Sequence, residues 1–327
     1  MNRTVKSTLW VLVAISLLIL TSFSYTSTND LVNPEKAKKI HMIAKMGHGD
    51  YWNAVKMGAE VAAKEYNVNL VFKAPNNEND VGEQIKMMGE SIKQRPDAII
   101  LSASDYMALA QVTDEAAYYN VPVLSMDAEV ASAKVETYIG ANNYEAGQKA
   151  AERMIELTGT DSQIAIVNFV KGARNADQRE EGLLDYVARY PGIKVVDIRY
   201  SDSDQRIASQ LTKDILISHP DIDGIIALNA EASVGVGREV KNMGKGGKVK
   251  VIAFDNPPEN MDLLQEGVVQ ALVVQNPFNN GYLAVQLAVE ASEGKHIPDR
   301  VDTGIKLIDL DNMLWPENQK LLFPFVK

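Results

Sequence analysis

The chain has 327 residues, of which 46% are hydrophobic, a formal net charge of −10 and no cysteine. Its length exceeds one ordinary hydrophobic core and favours about two domains. The acidic balance, without a Lys- or Arg-rich patch, argues against nucleic acid as a partner. The absence of cysteine excludes disulfides, thiolate metal sites and a lipid-modified N-terminal cysteine.

The first 25 residues have the pattern of an export signal. Two basic residues precede an apolar run from Leu9 to Leu20, and small and hydroxylated residues follow. When the run is extended to Tyr25, it approaches the length that spans a membrane. Residues 1–25 are therefore predicted to be either a cleaved signal peptide or a membrane anchor, with residues 9–25 as the anchoring part. The polar residues 26–37 are predicted to be a tether, and the rest is expected to fold outside the cytoplasm.

Residues 39–60 predict a strand followed by a helix. Apolar residues from Ile40 to Ile43 make a strand-length run, and small and apolar residues after Trp52 recur at helical spacing. The loop between them holds two adjacent aromatic residues, Tyr51 and Trp52. Ligands of open α/β sheets bind outside the carboxyl ends of the strands, so this loop indicates a binding crevice.

Strands and helices alternate along the remaining chain. Further strands are predicted at residues 69–74, 97–102, 121–126, 135–140, 163–170, 194–199, 224–229, 249–254, 269–275 and 305–310. Helices are predicted at residues 81–94, 106–120, 144–158, 175–190, 204–218, 230–243, 261–265 and 277–293. This α/β alternation predicts parallel sheets with right-handed crossovers, and about ten strands suit two similar lobes better than one sheet.

Six short segments occur in order along the chain at or beside predicted strand ends. They are the pair Tyr51-Trp52, VPVLSMD ending at Asp127, QREEG with Arg179, IIALNAE with Asn229, VIAFDNPP with Asp255, and VVQNPF with Gln275. No single segment is specific, but six in this order are jointly a strong signal. From about Lys38 onward, the chain resembles the type I periplasmic sugar-binding proteins, particularly the ribose-binding group.

The resemblance implies two lobes, each a parallel sheet flanked by helices, joined by three hinge crossovers. Carried over, the first lobe would comprise residues 38–140 and 276–304, and the second residues 141–275 and 305–327. A monosaccharide would bind between the lobes, which close by hinge motion. The family implies no catalysis and no cofactor, and its partner is a membrane permease or a sensor histidine kinase. With a retained anchor, the protein would signal through such a sensor at the membrane.

The chemistry of these residues suits a sugar, which has hydroxyls around its edge and weakly apolar faces. Asp127 and Asp255 can accept from adjacent hydroxyls, and Arg179 can donate from a planar fork. Asn229 and Gln275 can donate and accept, while Tyr51 or Trp52 supplies a plane for stacking.

Three positions depart from the ribose-binding group. Ala128 stands where that group has arginine, Asp204 where it has an aromatic residue, and Gly49 where it has asparagine. These changes remove a cation and a stacking partner and add a carboxylate. A pentose, hexose or related polyol is therefore the expected ligand class, with Asp204 and the loop residue His48 as additional candidate contacts.

Other interpretations remain open. One of Tyr51 and Trp52 could be a helix-start staple, the two aspartates could be N-caps, and Arg179 could lie on the surface. An acid–base pair formed by Asp127 and Asp255 would fit a glycosidase, and the same residues could bind a non-sugar signal molecule. A repressor would require a helix-turn-helix where the export segment stands. The histidines lack metal-ligand spacing, and residues 75–80 are predicted to be a plain loop.

Overall fold

The computed structural model describes residues 37–322. The predicted signal or anchor and all but the last residue of the predicted tether lie outside these residues. Within residues 37–322, none of the helices has both the length and the apolar character that a membrane span requires.

Twelve strands are present in the described residues. They are β1 (Lys38–Ile43), β2 (Val68–Lys73), β3 (Ala98–Leu101), β4 (Val123–Met126), β5 (Val135–Gly140), β6 (Gln163–Asn168), β7 (Lys194–Tyr200), β8 (Gly224–Ala227), β9 (Lys250–Phe254), β10 (Ala271–Val274), β11 (Arg300–Asp302) and β12 (Lys306–Ile308). The helices are α1 (Asp50–Glu65), α2 (Val81–Lys93), α3 (Ala110–Tyr118), α4 (Asn143–Thr158), α5 (Arg174–Val187), α6 (Gln205–Ser218), α7 (Ala230–Asn242), α8 (Pro258–Gln265), α9 (Pro277–Ser292) and α10 (Pro316–Leu322).

The strands form two six-stranded sheets. The first has the order β11-β5-β4-β3-β1-β2 and the second β12-β10-β9-β8-β6-β7. Neighbouring strands are parallel except for the short edge strand β12, which pairs antiparallel with β10. The chain passes between the sheets after β5, after β10 and after β11. Two mostly parallel sheets flanked by helices confirm the predicted α/β class.

We call the first sheet with α1, α2, α3 and α9 the first lobe, and the second sheet with the other helices the second lobe. Central strands such as β3 (AIIL), β8 (GIIA) and β10 (ALVV) are buried along their whole length. Helices cover both faces of such parallel strands, which explains their continuous apolar runs. Each lobe therefore has core clusters on both sides of its sheet.

Glycines allow one pair of helices in each lobe to pack at very close range. A Cβ atom added to Gly58 of α1 would overlap the carbonyl oxygen of Phe278 at the start of α9. In the second lobe, a Cβ atom on Gly147 of α4 would overlap the carbonyl oxygen of Arg179 in α5. Because real Cβ atoms cannot approach so closely, only glycine permits these contacts, and the second contact fixes the position of Arg179.

Three elements differ most from the sequence prediction. The helix predicted over residues 106–120 begins only at Ala110, because the Asp105 carboxylate accepts backbone hydrogen bonds from Met107 at 2.9 Å and Ala108 at 2.7 Å. Such a local side-chain turn competes with the first helical turn. Strand β11 and helix α10 were not predicted, and both are short.

His41 lies in the middle of β1 and is completely buried. Neither of its ring nitrogens has a hydrogen-bond partner among the described residues. Burial, together with the nearby charges of Lys73 and Lys39, lowers its pKa from 6.5 to about 4. Between these two values the unfolded chain binds a proton that the folded chain does not bind, so the fold loses stability as the pH falls.

We expect the His41→Leu variant to lose less stability than the wild-type protein between pH 7 and pH 4, by up to about 3 kcal/mol. Urea unfolding at a series of pH values measures this difference. The variant His296→Gln, which changes an exposed histidine, should keep the wild-type profile. Parallel profiles for His41→Leu and the wild type would show that His41 does not cause the acid sensitivity.

Candidate ligand-binding cleft

A cavity lies between the two lobes, where the carboxyl ends of both sheets meet. The structure brings seven predicted site residues together in its wall: Tyr51, Trp52, Asp127, Arg179, Asn229, Asp255 and Gln275. Asp127 follows β4, Asp255 follows β9 and Gln275 follows β10 directly, as expected for a crevice at parallel strand ends.

Asp127 and Asp255 occupy equivalent positions in the two lobes. Both adopt left-handed backbone conformations, with φ of 65° and 61°, which aspartate tolerates better than most residues. The carboxylate of Asp127 accepts hydrogen bonds from the Tyr51 hydroxyl at 2.7 Å and from Ser102 Oγ at 3.2 Å. It is thus already well supplied with donors.

Asp255 has fewer donors of its own. Gln275 Nε2 donates to Asp255 Oδ1 at 3.0 Å. Burial raises the pKa of Asp255 from 3.8 to about 6, although the nearby Arg179 guanidinium and the Gln275 hydrogen bond oppose this shift. The site therefore holds a carboxylate that is incompletely compensated.

Arg179 is a fixed donor in the cavity wall. Its side chain is buried, with a relative exposure of 2%, so the alternative of a surface arginine is wrong. The guanidinium carbon lies 5.6 Å from the ring centroid of Phe169 and 4.7 Å from that of Phe254. Arg179 Nε donates to Asn143 Oδ1 at 2.9 Å, and Nη1 donates to the Leu228 carbonyl at 2.7 Å. These contacts hold the Arg179 guanidinium in one orientation.

The aromatic pair divides its roles. Trp52 is 5% exposed and belongs to the core of the first lobe, yet its ring also reaches the cavity wall. Tyr51 meets it edge to face, with ring centroids 5.3 Å apart, and its hydroxyl accepts from Asn280 Nδ2 at 3.3 Å. Burial and the neighbouring Asp127 raise the pKa of Tyr51 well above its usual value, so the hydroxyl remains a donor. Trp52 therefore packs into the lobe, as the alternative interpretation of one of the two aromatic residues expected, and also lines the cavity.

Asn229 combines a structural contact with its place in the wall. Its Oδ1 accepts from the backbone N–H of Ala232 at 2.9 Å and caps α7. The two additional candidates do not line the cavity. Asp204 caps α6 and pairs with Arg206 at 3.1 Å, while His48 is exposed and its Nε2 lies 3.0 Å from the Asn76 carbonyl.

The family described as periplasmic binding protein domain matches residues 40–296. The chain belongs to this family. It is 24% identical over 307 residues to the ribose import binding protein of Bacillus subtilis (strain 168), covering 92% of this chain and 98% of that protein. The resemblance to the ribose-binding group is therefore confirmed.

Solved structures agree with this assignment. A carbohydrate transporter solute binding protein from Agrobacterium radiobacter, in complex with D-arabinose, superposes with a TM-score of 0.85 at 31% identity, covering 88% of this chain and 99% of that one. An ABC transporter solute binding protein from Agrobacterium vitis with bound D-fucose gives 0.85 at 28% identity, covering 87% and 100%. These relatives are sugar-binding proteins of transporters rather than enzymes, which agrees with the predicted class.

Several wall residues of this binding protein were missed from the sequence. Glu78 lies in the segment that was predicted to be a plain loop, Asn175 is in the first turn of α5, and Phe169 follows β6 directly. Lys45, behind the wall, is completely buried two residues after β1. Extending the strand-end rule to Lys45 and Phe169 could have found both, whereas Glu78 has no such signal.

Glu231, also in the wall, explains one departure from the ribose-binding group. Its Oε2 accepts from Gln205 Nε2 at 2.5 Å, and burial raises its pKa. A Cβ atom on Gly49 of the opposite lobe would lie 2.8 Å from Glu231 Oε1. Gly49 also has a φ of 92°, which disfavours other residues. Glycine at this position therefore leaves room for a carboxylate that faces the cleft.

Proposed function

We propose that the chain is an extracytoplasmic receptor that binds a monosaccharide between its lobes and presents it to an ABC importer. The observation that carries this proposal is the composition of the cavity wall. It combines the carboxylates Asp127 and Asp255, the fixed guanidinium of Arg179 and the aromatic rings of Trp52 and Phe169. Sugars need this mixture of hydrogen-bonding groups and apolar planes.

Each group has a role in this proposal. Asp255 and the remaining acceptor capacity of Asp127 receive hydroxyl hydrogens from the sugar, and Arg179 donates to ring or hydroxyl oxygens. Gln275 and Asn229 complete the polar edge, while Trp52 or Phe169 covers an apolar face.

The relatives support the same ligand class. One is described as a ribose import binding protein, and two solved structures contain D-arabinose and D-fucose. We propose a pentose or a hexose, bound by hinge closure of residues 38–140 and 276–304 against residues 141–275 and 305–327. The first relative is an import binding protein, which favours a permease as the partner of this chain. The alternative is a sensor kinase, together with an anchor at residues 9–25.

A calorimetric and thermal-shift screen of pentoses and hexoses tests this function. We expect at least one sugar to bind reversibly and to stabilise the protein by about 2.7 kcal/mol at a hundred times its dissociation constant. Sugar acids such as galacturonate serve as a matched control, because the four wall carboxylates Glu78, Asp127, Glu231 and Asp255 should repel them. If no neutral sugar shifts the melting temperature, the proposal is wrong.

A further inference from the structure

Lys45 joins the two lobes beneath the cavity. Its Nζ donates to Glu78 Oε1 of its own lobe at 3.0 Å and to Asn175 Oδ1 of the second lobe at 2.8 Å. The same nitrogen lies 3.7 Å from Asp127 Oδ2 and 5.4 Å from the ring centroid of Phe169. With no exposed surface, Lys45 is a cation that is surrounded entirely by protein groups.

Glu78 and Asn175 make two more contacts across the cleft. Ser203 Oγ of the second lobe donates to Glu78 Oε2, and Asn229 Nδ2 donates in turn to Ser203 Oγ at 3.0 Å. Asn175 Nδ2 donates to Asp127 Oδ2 of the first lobe at 3.2 Å. A continuous series of hydrogen bonds thus runs from Asn229 to Asp127 and crosses between the lobes three times.

The second-lobe loop that supplies Ser203 has an unusual backbone. Asp202 and Ser203 are consecutive non-glycine residues with positive φ, 52° and 56°. This conformation is sparsely populated and is retained where the surroundings require it. Ser203 is 7% exposed and Glu78 is 4% exposed, so the hydrogen bond between them is shielded from water. Buried bonds to a charged acceptor are among the stronger ones.

We propose that Lys45 and Glu78 are specificity-determining residues, which seal one wall of the cleft and confine the ligand to a single sugar ring. This inference rests on the proposed function. Glu78 and Asn175 line the cavity, and they are tied to each other through Lys45 and to both lobes. A second sugar ring cannot pass this wall without breaking bonds between buried charged groups. Because these bonds join the two lobes, we expect them to support the binding of every sugar that the cleft accepts.

Asn175 and Lys45 also position Asp127, which is a predicted ligand residue. Asp127 receives hydrogen bonds from Tyr51, Ser102 and Asn175 and lies close to Lys45. These contacts orient the carboxylate and leave little of its capacity free. The remaining polar capacity of the cleft is in the second lobe, at Asp255, Gln275 and Arg179, whereas Lys45 and Glu78 limit the size of the ligand.

The first test compares a monosaccharide that the wild-type protein binds with the disaccharide that carries the same sugar as one of its rings. We expect the wild type to favour the monosaccharide strongly, and Lys45→Ala/Glu78→Ala to reduce this affinity ratio at least tenfold, because both charges and both side chains leave the wall. The exposed pair Lys86 and Glu83, whose atoms lie 3.2 Å apart, supplies the matched control Lys86→Ala/Glu83→Ala, which should keep the ratio.

A second variant keeps the inference testable if the double variant fails to fold. Ser203→Ala removes one hydrogen bond between the lobes and should weaken binding of every accepted monosaccharide about tenfold or more. Ser209→Ala is its control, because Ser209 Oγ donates to Glu239 at 2.8 Å within the second lobe. Two results would overturn this inference while leaving the proposed function intact, provided that the wild type binds sugar. They are an unchanged affinity ratio in a folded double variant and an unchanged affinity in Ser203→Ala. A wild type that binds no sugar would overturn the proposed function as well.

Discussion

Replacing Asp255 with asparagine is expected to weaken sugar binding about a hundredfold or more while making the unliganded protein more stable. A carboxylate can accept from two adjacent hydroxyls, and each hydrogen bond to a charged group contributes about 1.5–3 kcal/mol. Asparagine keeps the size of the side chain and tolerates the positive φ of this position. It still accepts from Gln275, so the loss is confined to the ligand.

The gain in stability follows from the raised pKa of Asp255. Between the usual value of 3.8 and the value of about 6 in the fold, the folded chain holds a proton that the unfolded chain releases. Stability therefore falls as the pH rises through this window, and above it the buried charge costs up to about 3 kcal/mol. Asparagine removes this cost at pH 7.

Calorimetry with the best sugar of the screen and urea unfolding without sugar measure the two effects. Wild-type affinity should also decline as the pH falls below about 6, because Asp255 takes up a proton there. Asp202→Asn is the control, since Asp202 has a similar φ of 52° but an exposed side chain, and it should bind like the wild type. Undiminished affinity in Asp255→Asn would place the ligand elsewhere.

The parts of the site that could be predicted from the sequence are those set by strand ends. Asp127, Asp255 and Gln275 follow buried strands directly, and parallel strands bring their carboxyl ends to one edge. The alternation of strands and helices likewise predicts two α/β layers. Strand β11 could not be predicted because its three residues, RVD, are too few to show the alternation of a strand.

The side chains that escaped prediction depend on contacts between distant segments. Glu78 looks like a solvated charge in the sequence, and the strand-end position of Lys45 does not show that it is buried, because charged residues are rarely buried without a partner. Their partners lie on different elements, and one of them, Ser203, is 125 positions away from Glu78. No local period or motif encodes such a pairing.

Asp204 illustrates the opposite difficulty, because local chemistry can also explain a residue that the sequence offers as a possible ligand contact. Its Oδ1 accepts from the backbone N–H groups of Arg206 at 2.7 Å and Ile207 at 3.1 Å. An aspartate before a helix satisfies these otherwise unpaired donors whether or not a ligand is near. An aspartate at this place in the sequence is compatible with capping a helix and with contacting a ligand. Only the position of the cavity distinguishes the two roles.

The single substitution Lys45→Met is expected to destabilise the protein by about 3–5 kcal/mol, because it leaves the carboxylates of Glu78 and Asp127 buried with less compensation. Side-chain exposures of 0% for Lys45, 5% for Glu78 and 4% for Asp127 show that water cannot replace the missing cation. The double variant Lys45→Met/Glu78→Gln removes one charge of each sign and should recover most of the loss. A surface pair behaves differently: Lys86 is 63% exposed beside Glu83, so Lys86→Met should cost about 1 kcal/mol or less. Denaturant unfolding followed by tryptophan fluorescence compares the four proteins. If the double variant is no more stable than Lys45→Met, the loss comes from packing rather than from a stranded charge, and the electrostatic account of this wall fails.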